Sequence, residues 1–241
     1  MTTKKIMSHP IVRTARIAGF LYLLQIPLGV FGILYIPKAL VVLGDAAATA
    51  NNILAHEFLF RLSVVSAILA ALVTVATALV LYKVLKPVHK NYARLMVIAT
   101  LVVAPISMLN ELNHVAVLLL LNSPEIIPMF TTSQLQSLMS VLLEVQEYGI
   151  QIVGIFFGLW LLPMGYLVFK SGYMPKIIGV FLVITCLGYL IDFVTFFLFP
   201  NLGVIISEYA WLGEVMMVSW LLIKGVNVEQ WEKRALESTE K

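Results

Sequence analysis

Residues 58–94 read FLFRLSVVSAILAALVTVATALVLYKVLKPVHKNYAR, and they decide how the rest of the chain is read. Phe58 to Tyr82 is an apolar run with one charge, Arg61, close to its start. Lys83, Lys86, Lys90 and Arg94 follow at once, with Pro87 among them. A helix of that length crosses a hydrocarbon core of about 30 Å. A basic turn behind it marks the side on which Lys and Arg are retained.

The same grammar repeats outward from this stretch. Residues 17–223 contain six apolar segments of roughly twenty residues each, enough for six crossings. Of the sixteen Lys and Arg, fourteen fall in the N-terminal arm, in the turns after the second and fourth segments, or in the C-terminal tail. Only Lys38 and Arg61 fall on the opposite side. Cytoplasmic loops keep basic residues and translocated loops do not, so both termini are expected in the cytoplasm. The predicted fold is all-α: an integral membrane bundle of six transmembrane helices with one short outer surface helix. It divides into a cytoplasmic arm (1–16), a transmembrane domain (17–223) and a cytoplasmic tail (224–241).

Composition agrees. The chain is 61% hydrophobic and 12% charged, with a mean hydropathy of +0.97. A soluble protein of 241 residues could not hide that much apolar surface, whereas a bilayer solvates it. The formal net charge of +3 is spent on orientation and leaves no open basic face, so nucleic acid is not an expected partner. Cys186 is the only cysteine, which excludes an intrachain disulfide and a thiolate metal site. Lys4, Lys5, Arg13 and Arg16 ahead of an apolar run imitate a signal peptide. The run from Ile17 to Ile36 is longer than a signal core, and it is read as an uncleaved helix.

Local signals set the boundaries. Pro27 is expected to kink the first helix. Gly44-Asp45 supplies a turn and an N-cap for the short surface helix, residues 46–54. The third helix covers 95–121. Ser133 with Gln136 reads as a capping box for the fourth. Run unbroken to Phe169, that helix would be about 54 Å long, so it either projects from the membrane or breaks near Gly149. The fifth (177–199) and sixth (204–223) helices form a hairpin through Pro200-Asn201, and Trp231 in the tail is placed at the interface.

Ionisable groups inside hydrocarbon cost roughly 2.5–3.5 kcal/mol each even on the mildest scale, so each needs a partner or a purpose. Counted at 1.5 Å per residue from the nearest cytoplasmic basic residue, Glu111 and Asp192 lie about 25 Å deep and Glu214 about 15 Å. Glu144, Glu147, Tyr148 and Gln151 share one face of the fourth helix. Asn110, Asn113 and His114 cluster on the third, with Glu111 at their edge. Thr185, Asp192 and Thr195 share a face of the fifth helix, and Ser207, Trp211 and Glu214 one of the sixth. Together they outline a polar cavity open to the outside, with Arg61, Asn110, Glu111, His114, Glu147, Gln151, Asp192, Trp211 and Glu214 as its candidate lining.

Three functions fit such a set. It can bind or move a small polar or cationic molecule, the favoured reading. It can be a metal-dependent enzyme: Glu111-x-x-His114 has the i, i+3 spacing of carboxylate-bridged di-metal bundles, and His56, Glu144 and Glu147 could add ligands to Glu111 and His114. The second Glu-x-x-His is missing, and no His-Glu-x-x-His, Gly-x-Ser-x-Gly or phosphate-binding glycine loop is present, so the chain leans away from enzymes. A divalent metal is the one cofactor in view. Third, the acids can be packing pairs of a structural or accessory subunit, with Arg61 held by Glu57, Glu147 or Asp192. The bilayer is the expected partner, and the oligomeric state is open.

The segments Gly44–Ala50 (GDAAATA), Leu59–Arg61 (LFR), Phe156–Leu159 (FFGL), Gly165–Leu167 (GYL), Ser171–Pro175 (SGYMP), Gly188–Asp192 (GYLID) and Leu212–Glu214 (LGE) together resemble a family of bacterial membrane proteins catalogued only as a domain of unknown function. The resemblance runs from about Ala15 to Val226. It implies one helical domain in a bacterial cytoplasmic membrane. It carries over Arg61, Asp192 and Glu214 as members of the family pattern, without a role. Where some relatives carry His, this chain has Trp160, a departure that weighs against metal chemistry on the fourth helix.

Overall fold

The computed structural model describes residues 9–203, 205–207 and 211–239. The described chain is helical. Helix α1 is Pro10–Gly29, followed by a π-helical turn Val30–Tyr35 and α2, Ile36–Leu40. Then come α3 Ala46–Ala55, α4 Glu57–Leu85, α5 Lys90–Asn110, α6 Leu112–Asn122, α7 Thr132–Ser171, α8 Lys176–Leu198, α9 Leu212–Ile223 and α10 Val228–Thr239. Among the described residues, five helices are long and apolar enough to cross a membrane: Pro10–Leu40, Glu57–Leu85, Lys90–Asn122, Thr132–Ser171 and Lys176–Leu198. The sixth apolar helix, α9, has 12 residues. The remainder of its expected range includes Val204 and residues 208–210, outside the described residues.

The local reasons for these elements are visible. Asp45 caps α3, its Oδ1 accepting from the Ala48 amide at 2.8 Å, as its position after Gly44 predicts. The capping box of α7 is real but lies two residues earlier than expected. Gln134 Oε1 accepts from the Thr131 amide at 2.9 Å, and the Gln134 amide donates to Thr131 Oγ1 at 3.3 Å. Thr131 follows an extended Phe130 and so takes the N-cap position ahead of Ser133. No break occurs at Gly149: α7 runs for 40 residues, about 60 Å. The first span is perturbed as a π turn downstream of Pro27, where the Ile36 amide donates to Phe31 O, five residues back. Prolines at 27 and 37 each remove one helical donor, and Ser66 Oγ supplies Leu28 O at 2.9 Å.

The chain forms two compact units. One comprises the described residues up to Leu24, Val73–Ala104 and the described residues from Gln151 on; the other comprises Gln25–Leu72 and Pro105–Ile150. The core of the first gathers Tyr22, Leu81, Met96, Trp160, Leu161, Met164, Ile178, Cys186 and Met217. Inside it α7 and α8 meet backbone to backbone, because a Cβ on Gly179 would lie 2.6 Å from Gly165 O. The core of the second gathers Ile36, Ile53, Phe60, Val117, Leu118 and Met139.

The tail is ordered against the first unit as helix α10. Trp231 Nε1 donates to Val84 O at 2.9 Å, and the Tyr173 hydroxyl donates to the same carbonyl at 2.8 Å. Arg234 Nη2 donates to Lys170 O at 3.1 Å. Val84 and Lys170 lie at the C-terminal ends of α4 and α7, where carbonyls lack intrahelical partners. Trp231, placed at an interface by the sequence, is thus also a cap. Burial pushes the Tyr173 phenol well above its ordinary value, against a smaller opposing pull from Arg234, so it keeps the proton it donates.

Candidate functional site

In the second unit the polar residues converge on Glu111, at the junction of α5 and α6. Asn113 Nδ2 donates to Asn110 O at 3.0 Å and to Asn110 Oδ1 at 3.2 Å. A side-chain amide on that carbonyl competes with the helical ladder, which accounts for the interruption at Glu111. Glu111 and His114 are both buried. Glu111 Oε2 lies 2.9 Å from His114 Nδ1, and Gln146 Nε2 donates to Glu111 Oε1 at 2.8 Å. Asn110 Nδ2 donates to Gln146 O at 2.9 Å, tying the junction to α7. Phe60 meets the His114 ring edge-on, with centroids 5.0 Å apart. One atom is left over: Gln146 Oε1 is buried and has no hydrogen-bond partner among the described residues.

Other predicted members of this set go elsewhere. Glu144 and Glu147 are exposed, while Gln146 between them is buried. The buried face of α7 in this unit carries Leu135, Met139 and Gln146. The expectation that Glu144, Glu147 and Tyr148 point inward is therefore corrected: the apolar stripe sets the inner face, and the acids fall off it. Of the three acids expected to hold Arg61, it is Glu57, on its own helix, that does. Arg61 Nε donates to Glu57 Oε1 at 2.6 Å, with more than half of the arginine side chain exposed, and the expected pairing with Glu147 or Asp192 on another helix is corrected. His56 is exposed, its Nδ1 3.1 Å from Asn52 O. Among the described residues no three His, Cys, Asp or Glu side chains form a group able to hold a metal ion. The five residues named as metal ligands do not converge, beyond the Glu111–His114 pair.

The first unit has its own acids. Glu214, in the first turn of α9, accepts from the Tyr22 hydroxyl at 2.8 Å. Tyr22 in turn meets Trp160, centroids 5.6 Å apart. Trp160 is fully buried, and its Nε1 has no hydrogen-bond partner among the described residues. Asp192 is buried, and its two oxygens accept the Ile206 and Ser207 amides at 2.6 and 2.8 Å. Both are backbone donors after the turn, so Asp192 fixes that segment. Gln151 is half-buried. Trp211 is 52% exposed and takes the N-cap position of α9.

Gln146 and Tyr22 escaped the sequence reading, and so did the contact of Trp160 with Tyr22. The first two have a signal: each continues an apolar stripe at helical spacing, Leu135-Met139-Leu142-Gln146 and Ile11-Ala15-Ala18-Tyr22. A polar group on the inward stripe is a buried polar group.

A helical chain with five helices of this length and apolarity has the character of a multi-pass membrane protein. It belongs to the family described as Domain of unknown function (DUF4386), whose model matches residues 17–225. A protein of Archaeoglobus fulgidus described as "Uncharacterized protein" is 34% identical to it over 184 residues, covering 72% of this chain and 93% of that protein. No solved structure matches the chain.

Proposed function

We propose that this is a six-span protein of the cytoplasmic membrane, with both termini inside, that binds or moves a small polar or cationic molecule at its buried acids. The observation that carries the reading is the Glu111 site. A carboxyl, an imidazole and a carboxamide are buried together in apolar helices, no Lys or Arg among the described residues pairs with the acid, and Gln146 Oε1 still has an acceptor to offer. Buried polar atoms are nearly always satisfied, so an acceptor left beside an acid suits a ligand that donates hydrogen bonds or carries positive charge. The test is thermal unfolding of the detergent-solubilised protein against a panel of small ammonium and guanidinium compounds and divalent metals. A binding organic cation at about 100 times its Kd stabilises by about 2.7 kcal/mol, and Glu111→Gln should abolish the effect. Stabilisation by a metal, lost in both Glu111→Gln and His114→Ala, would favour the enzyme reading instead. A wild-type protein indifferent to the whole panel would sink both.

A structural role has one observation in its favour. Each oxygen of Asp192 accepts one backbone amide, which is the pattern of an acid that fixes a segment of chain. The topology rests on the fourteen-to-two division of basic residues. Tags at the two ends should both be shielded in right-side-out vesicles, and an externally reachable C-terminus would overturn it.

A further inference from the structure

A groove of about 500 Å³ runs along the first unit where α5, α7 and α8 meet, lined by Tyr92, Leu95, Tyr166, Phe169, Val180 and Ile184 among others. These six side chains are 37–49% exposed, on helices apolar enough to face hydrocarbon. The groove exists because Gly165 and Gly179 bring α7 and α8 into backbone contact, leaving a cleft that larger residues would fill. Tyr92 and Tyr166 of its lining pack ring against ring, with centroids 4.6 Å apart.

Beside Phe169 the groove meets two cations. Lys170 Nζ and Lys176 Nζ lie 5.9 and 5.7 Å from the centroid of the Phe169 ring, and Phe169 lines the groove. Among the described residues no carboxylate pairs with either lysine. Each ammonium group is thus within cation–π range of a ring that lines the groove, a contact that holds a cation without neutralising it. The geometry points to a binding site for an anionic phospholipid, with an acyl chain along the apolar cleft and the headgroup phosphate between Lys170 and Lys176. This site is distinct from the buried acids and stands or falls independently of the ligand proposed for them. A zwitterionic lipid offers the same chain but brings its own cation to the lysines, so the site discriminates by headgroup charge.

Native mass spectrometry of the full-length protein, with dioleoyl phosphatidylglycerol and dioleoyl phosphatidylcholine at equal concentration, tests this. Each lysine near an anionic lipid contributes about fivefold, so the wild type should retain the glycerol lipid about 25-fold better. Lys170→Ala/Lys176→Ala should bring that preference close to one. Lys170→Arg/Lys176→Arg should keep it, as should Lys83→Ala/Lys86→Ala, which removes equal charge elsewhere. Ile184→Trp, filling the cleft, should lower retention of both lipids. Equal retention of the two lipids by the wild type would overturn the proposal. So would a preference that survives the double alanine variant, disappears equally in Lys83→Ala/Lys86→Ala, or is abolished by glycerol phosphate alone.

Discussion

The Tyr22 hydroxyl donates to Glu214 Oε2 at 2.8 Å, joining residues 192 positions apart. Glu214 has no basic partner among the described residues, so this bond is what holds its carboxyl in place. Hydrogen bonds between membrane helices couple by about 0.6 kcal/mol on average and up to about 1.7 kcal/mol. A double-mutant cycle of Tyr22→Phe and Glu214→Ala, read by unfolding in detergent, should return a coupling in that range. Strict additivity would mean the two side chains act independently.

Gly149 is the second point of leverage. A Cβ there would run into the Asn110 side chain, whose amide holds Gln146 O. Gly149→Ala should therefore displace Asn110 and loosen the Glu111–Gln146 pair. We expect a loss of about 1–3 kcal/mol, the scale of overpacking. Asn110→Ala in the same chain should recover part of it, because the obstacle is then gone. If the double variant is as unstable as the sum of the singles, the two residues do not share the effect.

Arg61 gives a prediction of small effect. Its ion pair with Glu57 is on the helix surface at i, i+4, where such pairs contribute about 0.3–0.5 kcal/mol. Glu57→Gln should change the unfolding free energy by less than about 1 kcal/mol. A loss of about 3 kcal/mol or more would show that the pair is desolvated in the membrane.

Five of the six expected spans, and several helix ends, were legible in the sequence, because the signals that set them are local. Asp45 caps α3 as its position predicts, and Lys176–Leu198 differs from the expected fifth helix by a residue at each end. The side-chain map was less legible. Glu144 and Glu147 attracted the reading because they are charged, yet the face of α7 is chosen by Leu135 and Met139, and Gln146 rides on that face. The Glu111–His114 contact follows from i, i+3 spacing, whereas Gln146 reaches Glu111 across 35 residues, a relation no local pattern records. The order of the tail was hidden for the same reason: Trp231 and Arg234 meet carbonyls at 84 and 170, far away in the chain.

Those carbonyls carry the last prediction. Val84 O accepts from both Trp231 Nε1 and the Tyr173 hydroxyl, and Val84 is fully buried. A carbonyl has two lone pairs, so either donor alone still satisfies it. Trp231→Phe or Tyr173→Phe alone should each cost about 1 kcal/mol, the net value of one hydrogen bond. Removing both leaves a buried acceptor at the end of α4 without a partner, which adds about 1–3 kcal/mol. The double variant should thus be less stable than the sum of the singles, and hydrogen exchange in residues 228–239 should quicken more in it than in either single. Simple additivity in both measurements would mean that α10 is held by its apolar contacts, with the shared carbonyl incidental.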